Sequence, residues 1–271
     1  MLALIQQKVK QYELTEYTDI KTWNRLGVRL GTITVLHPYE YARVLMQIGY
    51  EPIAPLPGRT LLGTPTLYLP NMFQYVAHIR GVDGFFGCFR GLSCKILGDL
   101  LSTHFSGKIV DRLEITGSTI YKPVQRKFHG FIDELDEDLE TNHVQFKKNL
   151  KRNLAIQAVC VIISHPFELI AVRMMAEFVG QDQLYSSLWQ SIGEIWTQNG
   201  LSGFYSGVVP RLLCELGCLV MSSSVTYLAF RYALRKRQER ACFSAFSKLL
   251  ASSIHYPYKV VSTRMIVTFF M

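Results

Sequence analysis

Five long stretches of this chain are mostly apolar, and each carries a polar seam. Hydrophobic positions recurring at helical spacing predict membrane-type helices over 23–48, 91–113, 150–178, 208–234 and 243–270. The longest uncharged runs within them are 154–167 and 216–230. Both fall short of the ~18 apolar residues that mark a lipid-spanning helix unaided. Such stretches suit either the core of a soluble α-protein or spans with one polar face turned to a shared cavity. The first, third and fifth hold Pro38, Pro166 and Pro257. A proline inside a helix removes a backbone hydrogen bond and kinks the helix, which membrane bundles tolerate when neighbours satisfy the freed carbonyl. Shorter amphipathic segments lie between the stretches. Met72, Val76 and Ile79, and later Leu188, Ile192 and Ile195, recur at i, i+4, i+7 and so share one helical face. A helix lying at the bilayer interface fits this pattern, and so does a helix packed on a soluble core.

The pattern is written twice and begun a third time. His37-Pro38-Tyr39-Glu40 returns as His165-Pro166-Phe167-Glu168, with a fainter copy at His255-Tyr256-Pro257-Tyr258. Asp83-Gly84 with Phe89-Arg90-Gly91 is echoed by Asn199-Gly200 with Tyr205-Ser206-Gly207. The prolines are offset by 128 residues (166 − 38) and the glycines by 116 (200 − 84). A repeat of this length points to a bundle of two-helix units in a membrane. The 12-residue difference between the offsets locates an insertion at 49–70, holding Pro52, Pro55, Pro57, Pro65 and Pro70. That density of proline predicts an extended, irregular excursion. The organisation expected is an N-terminal segment (1–22), a first repeat (23–113), an acidic linker (114–147), a second repeat (148–234) and a truncated third (235–271).

Charge and cysteine usage refine this picture. The net charge of +8 comes mostly from clusters flanking apolar runs, Lys147, Lys148, Lys151 and Arg152, then Arg235, Lys236, Arg237 and Arg240. These suit anionic head groups. No nucleic-acid motif is present, and basic residues are not interleaved with aromatics on a binding face. The six cysteines include no C-x-x-C pair; Cys214 and Cys218 share a helix face and read as small apolar packing residues, with no metal site expected. The first 19 residues contain Glu13, Glu16 and Asp19 and lack a signal core or an Arg-rich presequence, so internal targeting is expected. Without a Ser/His/Asp set, a P-loop or paired carboxylates in a plausible cleft, no enzyme and no cofactor are expected. His37 and His165 read as polar packing residues beside the prolines.

These residues resemble the mitochondrial carrier superfamily, whose units carry P-x-[DE]-x-x-[KR] and then a Gly-rich, aromatic-[KR]-G stretch. Unit one matches with Pro38, Glu40, Arg43, Asp83-Gly84 and Phe89-Arg90-Gly91. Unit two keeps Pro166 and Glu168 but has Ala171 at the base position. Unit three has Pro257, with Lys259 at the acid position and Ser262 at the base position. Stretches 44–59, 165–185 and 199–216 are similar to the divergent mitochondrial carrier homolog subgroup of the outer membrane, and the whole resemblance covers roughly 26–270. It implies an all-α membrane protein, a carrier-like helical bundle of about five spans with interfacial amphipathic helices. The third unit runs 14 residues from Pro257 to Met271, so its amphipathic helix and a sixth span are expected to be absent.

A closed ring of ion pairs cannot be made from Glu40, Glu168, Lys259, Arg43, Ala171 and Ser262. At most Glu168 with Lys259 and Glu40 with Arg43 remain as pairs. Lys95 and Asp99 align with Arg211 and Glu215 at the 116 offset, each pair spaced i, i+4 on one face. Charges in a membrane span rarely face lipid, so Arg43, Lys95, Asp99, Arg211 and Glu215 are expected to line a polar groove, with hydroxyls from Ser222, Ser223 and Ser224. Helix bridging is the plainer alternative. With the sixth span missing, that groove would open sideways to lipid. The resemblance implies an insertase for tail-anchored and other α-helical clients at the mitochondrial outer membrane, and binding of apoptosis regulators. The partners expected are therefore the lipid bilayer, such clients and those regulators, with no nucleic acid. A phospholipid scramblase, a receptor or scaffold, and an inner-membrane solute carrier are the alternatives.

Overall fold

A computed structural model of the chain describes residues 2–59, 63–116, 143–180, 188–232 and 237–268. Among these the elements are α1 (Leu2–Ile48), a hairpin of β1 (Leu56–Arg59) and β2 (Pro65–Tyr68), α2 (Met72–Gly87), α3 (Leu92–Thr116), α4 (His143–Gly180), α5 (Leu188–Gly203), α6 (Val208–Tyr232) and α7 (Arg237–Thr268). The chain is an all-α protein with carrier-like helix pairs. By length and apolar content Phe146–Gly180 and Val208–Tyr232 qualify as membrane spans. Pro38, Pro166 and Pro257 lie inside α1, α4 and α7.

α1 runs back without interruption to Leu2, and one expectation changes. The proline-rich excursion is not irregular: β1 and β2 pair antiparallel, with Leu56 opposite Tyr68 and Arg59 opposite Pro65. Proline is tolerated here because the ribbon is all edge, where a missing donor breaks no continuous ladder. The Tyr68 hydroxyl donates to the Arg59 carbonyl at 2.6 Å, and its ring lies where a side chain on residue 58 would sit, so only Gly58 fits. The acidic run at 133–140 lies outside the described residues, while 143–147 begins α4.

The described chain forms two compact units. The first comprises Met1–Arg43 and Glu51–Leu92. In it α2 buries Tyr75 and Ile79, with Met72 and Val76 half-buried, so the expected apolar face does pack. Its start is set by the Asn71 N–H, which donates to Gln74 Oε1 at 2.8 Å, the return half of a capping box.

The second unit comprises Val44–Tyr50 and Ser93–Met271. At its centre is α4, buried at every position from Leu169 to Phe178. A segment enclosed on all sides must be packed by several neighbours. Gly98 of α3 lets that helix approach α4 closely, since a Cβ there would lie 2.8 Å from Cβ of Phe167. Gly217 of α6 does the same against His255 of α7, whose imidazole occupies the space of the missing side chain.

Candidate functional site

The repeat is reproduced in backbone conformation as well as in sequence. Gly84 and Gly200 interrupt α2 and α5 with φ of +74° and +60°. Gly91 and Gly207 then turn the chain into α3 and α6 at φ of +81° and +76°. These left-handed angles are open to glycine at no steric cost. The proline-motif histidines hold the turns in place. His37 Nε2 donates to the Arg90 carbonyl at 3.0 Å and its ring stacks on Phe89. His165 Nε2 donates to the Ser206 carbonyl at 2.9 Å and stacks on Tyr205. Both rings are fully buried. Their function is to clamp a helix-initiating turn to the proline helix, as their reading as packing residues anticipated.

Charged groups of the second unit converge on Glu168. Lys95 Nζ lies 4.0 Å from Glu168 Oε1, with side chains 16% and 24% exposed. Arg211, Lys259 and His165 are within electrostatic range of the same carboxylate. Arg211 is oriented from two sides, donating to His165 Nδ1 at 3.3 Å and to Ser164 Oγ at 3.2 Å. An arginine can only donate, so His165 Nδ1 accepts and its proton sits on Nε2, which suits the clamp on Ser206. The ion pair formed by Glu168 is therefore with Lys95 and not with Lys259, because the Gly98 contact draws α3 against α4.

One turn further along α6, Glu215 Oε2 accepts from Gln157 Nε2 at 3.3 Å. Asp99 follows Lys95 on α3 and is half-buried. Its carbonyl accepts from Ser102 Oγ at 3.0 Å and from Thr103 Oγ1 at 2.8 Å. Arg43 belongs to the first unit, where its Nη2 pairs with Glu40 Oε1 at 3.1 Å. Ser222 and Ser223 do not line a groove: both are buried and donate to the Leu219 carbonyl of their own helix. The cysteines pack. Cys94 Sγ meets Met174 Sδ at 3.6 Å, Cys218 Sγ donates to the Ala251 carbonyl at 3.5 Å, and burial pushes the Cys88 thiol up.

The family model for "Mitochondrial carrier protein" matches residues 148–238, a span containing the second proline motif, the Gly207 turn, Glu168 and Arg211. Mitochondrial carrier homolog 2 of Bos taurus is 33% identical over 254 residues, covering 89% of this chain and 79% of that protein. The Homo sapiens homolog 2 is 32% identical over the same length and coverage. Mitochondrial carrier homolog 1 of Mus musculus is 34% identical over 212 residues, 74% of this chain and 50% of that protein. The chain belongs to the mitochondrial carrier homolog family. It is accordingly a mitochondrial membrane protein.

Family membership makes the motif departures interpretable. Ala171, at a base position, is buried in the enclosed half of α4, where a longer basic side chain would have no room. Ser262, at the other altered base position, donates to the Gly207 carbonyl at 2.8 Å and so ties α7 to the turn before α6. Hydrogen bonds rather than ion pairs tie the C-terminal ends of the proline helices. Gln47 Nε2 donates to the Tyr256 hydroxyl at 3.1 Å, and Thr263 Oγ1 donates to Gln47 Oε1 at 3.0 Å. Arg264 Nε donates to the Gln47 carbonyl at 3.0 Å. Tyr50 sits edge-on to Phe178, and Arg173 Nε donates to the Ile266 carbonyl at 3.3 Å. Motif reading missed the Gln47 hub, since neither spacing nor periodicity marks a lone glutamine at the end of a helix.

Proposed function

We propose that this chain is an insertase of the mitochondrial outer membrane, offering tail-anchored and other α-helical clients a polar track open to the bilayer. The observation that supports this is the charged ladder of the second unit. Its rungs are Lys95 with Glu168, Arg211 with Ser164, and Glu215 with Gln157. From Gln157 to Glu168 is 11 residues (168 − 157) of α4, or about 16 Å of helix at 1.5 Å per residue. That is roughly half of a ~30 Å hydrocarbon core. A charge at the bilayer centre costs at least ~2.5–3.5 kcal/mol on insertion scales. Partly exposed polar partners at that depth would lower the barrier for a client's polar flank. Binding of apoptosis regulators rests on the family resemblance alone and forms part of the same proposal.

The test is insertion of a tail-anchored client into vesicles containing the purified chain. Glu215→Lys reverses a charge whose hydrogen-bond partner is the neutral Gln157, so it perturbs the track with little structural consequence. Insertion should slow about tenfold, equivalent to ~1.4 kcal/mol. If Glu215→Lys and Asp99→Lys both fold and both insert client at the normal rate, the track has no part in insertion. Lipid scrambling would use the same rungs for head groups. A fluorescent-lipid flip assay separates the two, since scrambling without client insertion would reassign the function.

A further inference from the structure

A second polar cluster lies where α4 begins and α6 ends. His143 Nδ1 is 2.8 Å from the Tyr227 hydroxyl, Arg231 Nη1 donates to His143 Nε2, and the same Nη1 donates to the Tyr227 hydroxyl at 2.8 Å. The Phe146 ring stacks on Tyr227 with centroids 4.3 Å apart, which fixes the phenol. Protons can be assigned throughout. Guanidinium only donates, so His143 Nε2 accepts and the imidazole proton is on Nδ1. That proton goes to the Tyr227 oxygen, which also accepts from Arg231 and thereby uses both lone pairs. The hydroxyl proton of Tyr227, a residue only 6% exposed, is left without an acceptor within this trio. Among the described residues nothing accepts it, and nothing accepts from Arg231 Nε or Nη2. Lys147, exposed and one turn from His143 on the same face, adds a cation.

Three sets of unspent donors beside a buried phenol form a site for an oxyanion. Only the Tyr227 hydroxyl is buried, where a donor without an acceptor is costly; the Arg231 and Lys147 donors are exposed and open to an anion. Its position selects the source of that anion. The qualifying spans are Phe146–Gly180 and Val208–Tyr232, so the cluster sits where both helices leave the hydrocarbon, the depth of lipid phosphates. Across the rim Arg240 stacks on the Phe230 ring, and Glu239 supplies the one acid of the first turn of α7. We propose that Tyr227, Arg231 and Lys147 hold the phosphate of an anionic phospholipid at this end of the second unit. The inference stands apart from the insertion reading, and its assay contains no client.

The full chain is reconstituted in phosphatidylcholine vesicles, and immobilisation of spin-labelled phosphatidylglycerol is titrated against spin-labelled phosphatidylcholine. The anionic lipid should be preferred. Tyr227→Phe keeps the stack on Phe146 but deletes the hydroxyl, and should weaken that preference about tenfold, as loss of a charge-assisted bond does. Arg231→Gln should do the same. Arg80→Gln, an exposed cation of the first unit, should change nothing. Equal weakening by Arg231→Gln and Arg80→Gln with none from Tyr227→Phe would mean diffuse attraction and overturn the site. Competition by inorganic phosphate at lipid-matched concentration would overturn the lipid assignment. Should Tyr227→Phe lose its helical circular dichroism, Lys147→Gln on the exposed rim carries the test, and an undiminished preference there overturns the proposal.

Discussion

The Gln47 hub is the place where a single side chain decides how firmly the proline helices stay together. Gln47 is 5% exposed and Thr263 6%, and both ends of the amide are used, one towards Tyr256 and one from Thr263. Replacing it by leucine keeps the volume and removes both bonds. The backbone bond from Arg264 survives, because it uses the residue-47 carbonyl. Thr263 also keeps a second partner, the Lys259 carbonyl at 3.1 Å. Tyr256 is 42% exposed, so water or a head group can take its hydroxyl. The loss is therefore two ordinary hydrogen bonds with no buried orphan. At about 0.5–1.5 kcal/mol each in water, and nearer 0.6 between membrane helices, the local cost is about 1–2 kcal/mol. Amide hydrogen exchange should report it as a roughly 5- to 30-fold rise confined to 44–50 and 260–266. Gln47→Glu retains an acceptor for both hydroxyls and should show a smaller rise. Exchange unchanged in 44–50, or raised equally along the chain, would refute the idea that this amide joins α1 to α7.

Gly98→Val should push α3 off Phe167, lengthen the Lys95–Glu168 separation and destabilise the second unit by about 1–3 kcal/mol through overpacking, read as unfolding in a denaturant titration. If it is tolerated, α3 does not rest on α4 at that glycine. Gly207→Ala meets both a φ of +76° and the Ser262 carbonyl 2.8 Å from the new Cβ. It should cost more than Ser262→Ala, which loses only one bond to a backbone carbonyl, about 0.5–1.5 kcal/mol; equal costs would contradict the close approach. Swapping charges as Lys95→Glu with Glu168→Lys should restore less than half of the stability lost in either single variant, because a lysine at 168 would face Arg211 and Lys259. Full rescue in a double-mutant cycle would mean that Lys95 is the carboxylate's only electrostatic partner.

Repeating elements were legible from residues alone because they obey local rules. Gly84 and Gly200, like Gly91 and Gly207, mark turns that need a left-handed backbone, and their equal spacing announced a duplicated unit before any packing was known. The apolar triplets of α2 and α5 showed a buried face for the same reason, a period set by the helix itself. Family resemblance was carried by those motifs in combination. Glu40 with Arg43, one turn apart, was legible as a pair, but partnerships between helices were not. Glu168 pairs with Lys95 and not Lys259 because Gly98 lets two helices touch, a distance no spacing encodes. Ser222 and Ser223 turn inward onto their own helix, Ser262 is a tie at the motif's base position, and Gln47 has three partners more than 200 residues away in sequence. Sequence by itself determined where helices bend and repeat, since backbone torsion and residue shape act within a few residues. Only the tertiary structure decided which polar groups neutralise one another, because in a low-dielectric interior that depends on helix approach, and helix approach is a sum over the whole packed unit.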